Sequence, residues 1–221
     1  MRYEVKMSVD SARRAEVQSW VRLHSAGFHT AFPPRQVNNI YFDTPDLDSF
    51  NDHLGGATER RKLRLRWYGP TSFIAVGQLE IKQKSERAGW KETQNLPIHL
   101  DLAQVTWGEL TACARAQAGG IFREMLAVSQ PVLINWYQRQ YFVSANGEVR
   151  LTLDEHLTAF DQRMSLRPNL LRRTLLIDQM VIELKSDVKH HQQLAGVLAE
   201  FPLRVNRHSK FVNGVGSVLG W

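Results

Sequence analysis

Between Arg60 and Lys84 charged and apolar residues alternate one by one, and this alternation restricts the fold more than any other feature of the chain. Lys62, Arg64 and Arg66 are interleaved with Leu63, Leu65 and Trp67. After a Gly69-Pro70 turn, the stretch from Phe73 leads to Glu80, Lys82 and Lys84, interleaved with Leu79 and Ile81. A strand sends successive side chains to opposite faces, so the pattern predicts two strands joined by a turn. One face is apolar; the other carries five cations around a single carboxylate. Like charges on neighbouring strands weaken a sheet. Such a row is tolerated more easily where an anion, or carboxylates from elsewhere in the fold, lie over it. A single Lys-x-Arg-x-Arg is as often an ordinary solvated face, so recurrence decides its meaning.

The pattern does recur. In residues 2 to 8, Arg2, Glu4 and Lys6 share one face, and Tyr3, Val5 and Met7 the other. Asp10 is placed to cap a helix whose apolar positions Ala15, Val17, Trp20, Val21 and Leu23 run up to Gly27. Residues 35 to 43 read as a strand ended by Thr44-Pro45, and Asp46 as the cap of a short helix closed by Gly55-Gly56. Residues 85 to 92 read as a polar loop leading into a short strand. Two helical runs between 101 and 128 break at Gly119-Gly120, and Pro131 ends that region. Residues 132 to 143 are β-like, with Tyr137, Arg139 and Tyr141 in step. Asn146-Gly147 is a hairpin turn, and its partner strand sets Arg150, Thr152 and Asp154 against Leu151 and Leu153. Residues 157 to 163 and 170 to 178 are strand-like. Val181 to Lys185 alternate again, with Glu183 and Lys185 on one face, and Ser186 or Asp187 can cap a helix through Leu194, Val197, Leu198 and Phe201. The tail from Arg207 is Gly-interrupted and mostly apolar.

The chain has 221 residues, 43% of them hydrophobic and 10% aromatic, enough to build a core and to exclude global disorder. No linker or repeat divides it, so a single domain over 1–221 is expected. The formal charge of +6 suits a polyanionic partner without choosing among nucleic acid, a membrane surface and phosphorylated small molecules. One cysteine, Cys113, excludes an intrachain disulfide and a cysteine-built zinc cluster. No apolar run has the length of a membrane span or the pattern of a signal peptide, and a cytoplasmic location is the expectation.

Rows of charge on one face of many strands suit three architectures: an open sheet facing water, a nucleic-acid platform, or a closed barrel with a polar interior and helices over its apolar outside. Two details favour the last. Glutamates are interleaved with cations, as in Glu4 with Lys6, Glu80 with Lys82, and Glu183 with Lys185. A plain polyanion patch gains nothing from carboxylates, whereas a site for phosphates plus a hard divalent cation needs both signs. Arginine also dominates the densest row, and its planar fork can hold phosphate oxygens bidentately.

Eight segments in order, Arg2-Tyr3-Glu4-Val5-Lys6, Asn39 to Thr44, Lys62 to Tyr68, Leu79 to Lys82, Tyr137-x-Arg139-x-Tyr141, Arg150 to Asp154, Ile182 to Lys185 and Ser209-Lys210-Phe211, resemble the VTC domain. That is the polyphosphate-polymerase branch of the triphosphate tunnel metalloenzyme, or CYTH-like, superfamily. The resemblance implies an α+β fold, an antiparallel eight-stranded β-barrel with helices packed on its outside. It implies transfer of the γ-phosphate of ATP to a polyphosphate chain with Mn2+ or Mg2+. Carried over by residue, Arg64, Arg66, Arg139, Arg150 and Lys185 would be catalytic. Glu4, Lys6, Lys62, Glu80, Lys82, Tyr137, Ser209 and Lys210 would line the substrate path, and Glu183 would hold the metal. ATP and inorganic polyphosphate or triphosphate are the implied partners, with no nucleic acid; a separate membrane partner for the product is compatible. Arg2 breaks the Glu-x-Glu-x-Lys that the triphosphatase branch carries on its first strand, and Phe211 stands where many members have Tyr.

Blander readings accompany these. Glu4 and Glu80 can equally be partners that neutralise nearby cations, and Asp43 and Asp154 can be strand-end residues. His190 and His191, adjacent on a helix, do not share a face and do not suit a metal pair. Trp20 and Trp136 are most simply core. A triphosphatase and a non-catalytic polyphosphate- or nucleotide-binding module remain the alternatives to a polymerase.

Overall fold

The computed structural model describes residues 2–85, 88–203, 205, 206 and 208–220. Along the chain run β1 (Arg2–Asp10), α1 (Arg14–Leu23), β2 (His29–Asp43), α2 (Asp48–Leu54), β3 (Glu59–Tyr68), β4 (Phe73–Ile74), β5 (Gly77–Ser85), β6 (Ala88–Leu96) and β7 (Leu100–Asp101). There follow α3 (Trp107–Gln117), α4 (Gly120–Val128), β8 (Gln130–Val143), β9 (Val149–Asp161), β10 (Arg173–Thr174), β11 (Gln179–Asp187), α5 (His191–Ala199) and α6 (Lys210–Leu219). The architecture is α+β, as the sequence predicts: an antiparallel sheet with the main path β1-β11-β9-β8-β2-β3-β5-β6, against which helices pack. Short β10 pairs with β9, and β4 with β7 forms a separate two-stranded ribbon. Among the described residues no helix is long and apolar enough to cross a membrane.

The chain forms two compact units. The first comprises Met1–Arg35, Tyr137–Leu157 and Ile177–His208. Here β1 pairs with β11 and β11 with β9, in a register that sets Lys6 opposite Glu183, Glu4 opposite Lys185, and Glu183 opposite Thr152. The alternate positions, Met7, Val9, Leu151, Leu153, Ile182 and Leu184, are buried under Val17 and Val21 of α1 and Leu194 and Val197 of α5. Each such side chain removed from water contributes ~1.5–3 kcal/mol, so the apolar parity fixes register. A slip by one residue would turn the charged set into this core. Asp10 accepts a bond from the Ala12 N–H and starts the turn that leads into α1.

The second unit comprises Gln36–Trp136, Thr158–Leu176 and Ser209–Trp221. Strand β3 pairs with β2 and β5, and β5 with β6. Leu63, Leu65, Trp67, Leu79 and Ile81 lie in a core closed by Leu110 and Ala114 of α3 and Phe122 and Leu126 of α4. Thr106 and Glu109 exchange bonds as a capping box at the start of α3. A smaller cluster, with Phe50 of α2, Leu133 of β8, and Phe211 and Val215 of α6, seats the last helix.

Several local expectations are corrected. Helix α1 stops at Leu23, before Gly27. Strand β2 begins at His29, well before residue 35. Asp46 does not cap α2: the N-cap is Leu47, and the Ser49 and Phe50 N–H groups of the first turn donate instead to the Asp43 carboxylate, which also accepts from the Thr44 N–H. Phe73 belongs to the separate ribbon, so the partner of β3 starts only at Gly77. The residues read as a polar loop after Ser85 enter the nine-residue strand β6 at Ala88; Glu86 and Arg87 lie outside the described residues. Pro131 is the second residue of β8, not the end of the helical region. Residues 157 to 161 extend β9, but 170 to 178 hold only the two residues of β10 as a short strand before β11 begins. The tail forms α6, with Ser209 as its cap; Arg207 lies outside the described residues.

Candidate functional site

In the first unit, β1, β8, β9 and β11 each present one parity of residues as a charged face. Arg139 donates from Nε and Nη2 to both oxygens of Asp154, at 2.5 and 2.6 Å. Asp154 is fully buried, and the bidentate fork compensates its charge. Glu183 is the hub of the rest. Lys185 Nζ donates to it at 2.8 Å, Lys6 Nζ lies at 3.3 Å, and Arg139 Nη2 at 3.7 Å. Glu4 shares both lysines, at 3.0 Å from Lys6 and 3.8 Å from Lys185. Burial works against the charge on Lys6, but Glu183 and Glu4 outweigh it and raise the ammonium above its ordinary pKa. Burial likewise opposes Arg139, and Tyr137, Asp154 and Glu183 more than reverse it. The Arg139 guanidinium lies 5.3 Å from the Tyr137 ring centroid. Arg150, opposite Lys185 in register, is exposed and pairs with no carboxylate among the described residues.

In the second unit β2, β3, β5 and β6 supply a face of different composition. Glu80 is 2% exposed and holds three cations. Arg64 donates to it from Nε at 2.7 Å and also from Nη2; Lys91 Nζ lies at 2.8 Å, and Arg66 Nη1 at 3.7 Å. Burial pushes the Glu80 carboxyl up, but Arg64, Arg66 and Lys91 overcome this and hold it at about 2. Lys91 is itself lowered by burial and by the two arginines, against the pull of Glu80. A buried amide relay steadies Arg66: its Nε donates to Asn39 Oδ1 at 2.9 Å, and Asn39 Nδ2 donates to Asn135 Oδ1 at 2.8 Å. Arg64 Nη1 reaches the Tyr41 hydroxyl at 3.2 Å. Lys62 Nζ donates to Ser209 Oγ at 2.9 Å, and the same oxygen accepts from the Val212 N–H as the cap of α6. Burial first, then Lys62, Arg60 and Lys82, push the His53 imidazole down to about 4.

The structure therefore gathers Glu4, Lys6, Tyr137, Arg139, Glu183 and Lys185 in one unit, with Arg150 at the rim of that strand set. It gathers Lys62, Arg64, Arg66, Glu80 and Ser209 in the other, where Lys82 lies opposite Lys62 in register and Lys210 begins α6. Lys91 was missed, because residues 85 to 92 read as a loop; with the register known, its place opposite Lys82 is plain. Asn39, Tyr41 and Asn135 also escaped the site assignment. Asn39 and Tyr41 share a parity within β2, and uncharged residues on a charged face give a weak signal.

A divalent cation in the first unit has a suitable donor set. Glu183 and Glu4 are drawn together by shared lysines, and the hydroxyl of Thr152, across from Glu183, is buried with no hydrogen-bond partner among the described residues. No group of three or more His, Cys, Asp or Glu side chains forms a metal cage among the described residues. The donors fit a hard cation that completes its shell with water and substrate phosphates, which is the usual habit of Mg2+.

The profile of the VTC domain family matches residues 1–219, through both compact units. The chain belongs to the VTC domain family. No curated protein matches the sequence of this VTC domain. Solved structures share its fold. A candidate adenylate cyclase from Bacillus halodurans superposes with a TM-score of 0.57 at 15% identity, over 95% of this chain and 94% of that one. Another from Vibrio parahaemolyticus gives 0.52 at 16% identity, over 94% of each chain. At these identities the likeness shows the fold, and it agrees with the α+β antiparallel fold that the resemblance to the VTC domain implied.

Proposed function

We propose that this VTC domain is a metal-dependent phosphotransferase that moves the γ-phosphate of ATP onto an inorganic polyphosphate chain. The observation that carries the reading is the charge imbalance of the second unit, where Lys62, Arg64, Arg66, Lys82 and Lys91 lie on one face and Glu80 is the carboxylate among them. Like charges so placed on adjacent strands repel, and the oxygens of a polyphosphate offset that repulsion. Family membership and the shared fold support the same chemistry.

Phosphoryl transfer asks the protein for alignment and for charge placed in advance. Glu80 fixes the Arg64 guanidinium, and the amide relay fixes that of Arg66, so both present donors without reorganisation. Lys62 and Ser209 hold each other at the start of α6, where a phosphate can take a bond from the ammonium. In the first unit Arg139, locked by Asp154, and Lys185 and Lys6, oriented by Glu183 and Glu4, supply further positive charge. Glu183, with Glu4 nearby, would hold Mn2+ or Mg2+, which would supply Lewis-acid compensation of phosphate charge. The acceptor, a terminal phosphate oxygen, is already anionic, so no general base is needed.

The test is incubation with γ-labelled ATP and Mn2+ or Mg2+, with products resolved by size. Labelled chains together with ADP are the expected outcome. Release of single phosphate instead would make the protein a triphosphatase, and saturable binding without turnover would make it a binding module; either result overturns the polymerase reading.

A further inference from the structure

We propose that the segment from Arg163 to Leu175, the loop after β9 together with β10, docks this chain on the surface of an anionic lipid bilayer. Four large apolar side chains in this stretch face solvent almost completely: Met164 at 94%, Leu166 at 88%, Leu171 at 91% and Leu175 at 93% exposure. Scattered exposed leucines are ordinary, but a concentration of them within one loop marks an interaction surface.

The loop is built rather than slack. Gln162 Nε2 donates to the Phe160 and Asn169 carbonyls, and Gln162 Oε1 accepts from the Asn169 N–H at 2.7 Å. The Asn169 side chain accepts from the Leu171 and Arg172 N–H groups and donates to the Asp161 and Arg172 carbonyls. The Leu166 carbonyl accepts from the Trp107 N–H. Leu170 and Leu176 turn inward against the two apolar clusters of the second unit. Two leucines therefore anchor a hydrogen-bonded frame, and that frame holds the other apolar side chains out in water, where they gain nothing.

Charge selects the occupant. Arg163, Arg167, Arg172 and Arg173 are interspersed with the exposed apolar residues. Arg163 pairs with Asp161, and Arg167 reaches the Gln104 carbonyl. The exposed Arg172 and Arg173 side chains have no carboxylate partner among the described residues. Leucine and methionine that enter the acyl boundary, beside arginines that stay at the level of acidic headgroups, are the combination that binds an anionic interface. None of these residues belongs to the two charged faces, so the inference does not depend on the proposed catalysis.

The experiment is co-flotation of the whole chain with vesicles of phosphatidylcholine alone, or mixed with about one-third phosphatidylglycerol. Partition into the anionic vesicles should exceed that into neutral ones by roughly tenfold or more and fall as salt is raised. Leu171→Ser/Leu175→Ser and Arg172→Gln/Arg173→Gln should each lower it by about tenfold, with an unchanged thermal melt, because the side chains replaced are exposed. Equal binding to both vesicle types overturns the proposal. So does undiminished binding of the leucine variant, which would reduce the effect to the general attraction of a basic chain. Leucine-dependent self-association in sedimentation, without vesicle binding, also overturns it, in favour of a second copy of the chain as the occupant.

Discussion

The two charged faces are made from the same strand alternation and differ in balance. In the first unit Lys6, Arg139 and Lys185 meet the carboxylates Glu4, Asp154 and Glu183, and the exposed Arg150 lies opposite Lys185 in register. In the second, Arg64, Arg66 and Lys91 share Glu80, and Lys62 and Lys82 lie on the same face. The first face is largely self-neutralised. Its ion pairs hold buried charges that would be costly alone, and a new ligand must exchange with partners already there. The second face keeps an excess that an anion relieves. Under the proposed function the balanced face would take a cation together with phosphate, and the unbalanced one phosphate alone.

Five substitutions or titrations probe that difference, and the largest effect belongs to the balanced face. Arg139→Ala leaves Asp154 buried without its fork, and breaking a buried pair in this way costs about 3–5 kcal/mol; chemical denaturation should show it. Arg64→Ala should do the opposite. Glu80 keeps Lys91 and Arg66, so the loss of stability is smaller than in Arg139→Ala, while turnover falls about 100- to 1000-fold in an ADP-release assay. Equal loss of stability in both variants would erase the distinction between the faces.

Acid titration comes third. Glu80 has its folded pKa depressed from 4.5 to about 2, so its stabilisation is full above the unfolded value. It is lost as pH falls through the interval from 4.5 to about 2. The shift corresponds to about 3 kcal/mol, so Glu80→Gln should flatten the acid limb of a stability–pH curve and lower the plateau at neutral pH. Next, Glu183→Gln should raise the Mn2+ or Mg2+ concentration for half-maximal activity by about tenfold or more, while Glu80→Gln leaves that concentration unchanged. An equal metal shift in both would break the assignment of the cation to the balanced face. The smallest effect is that of Arg150→Ala. The exposed side chain should alter stability by less than about 0.5 kcal/mol and raise the KM for ATP a few-fold without changing kcat.

Most of the sheet was legible because period-two alternation reports both strand and face. The rows at Lys62, Arg64 and Arg66 and at Glu183 and Lys185 could be assigned before any coordinates. The missed pieces have physical causes. Ala88 to Glu92 offers Trp90 as its one large apolar side chain and no sustained alternation, so nothing in it announces a strand; pairing with β5 makes one. Residues 170 to 178 read as strand-like, and the turn organised by Asn169 explains why Leu171 faces water while Leu170 packs inward. Asn39 and Asn135 act through their amides, which carry no charge to stand out in a pattern. Helix α6 is disguised by Gly214 and Gly216, which are poor helix formers in isolation.

Gly214 has a consequence of its own. A methyl group there would meet Leu133 Cδ2 at 2.5 Å, and Leu133 is fully buried, with little room to yield. Ser209 lies five residues earlier, ~7.5 Å along the helix axis. The clearance at one hydrogen atom therefore calibrates, from a distance, how far the Ser209 hydroxyl stands from Lys62. Drift at an interior glycine would detune the contact between Ser209 and Lys62, and with it the proposed phosphate site, without altering either residue.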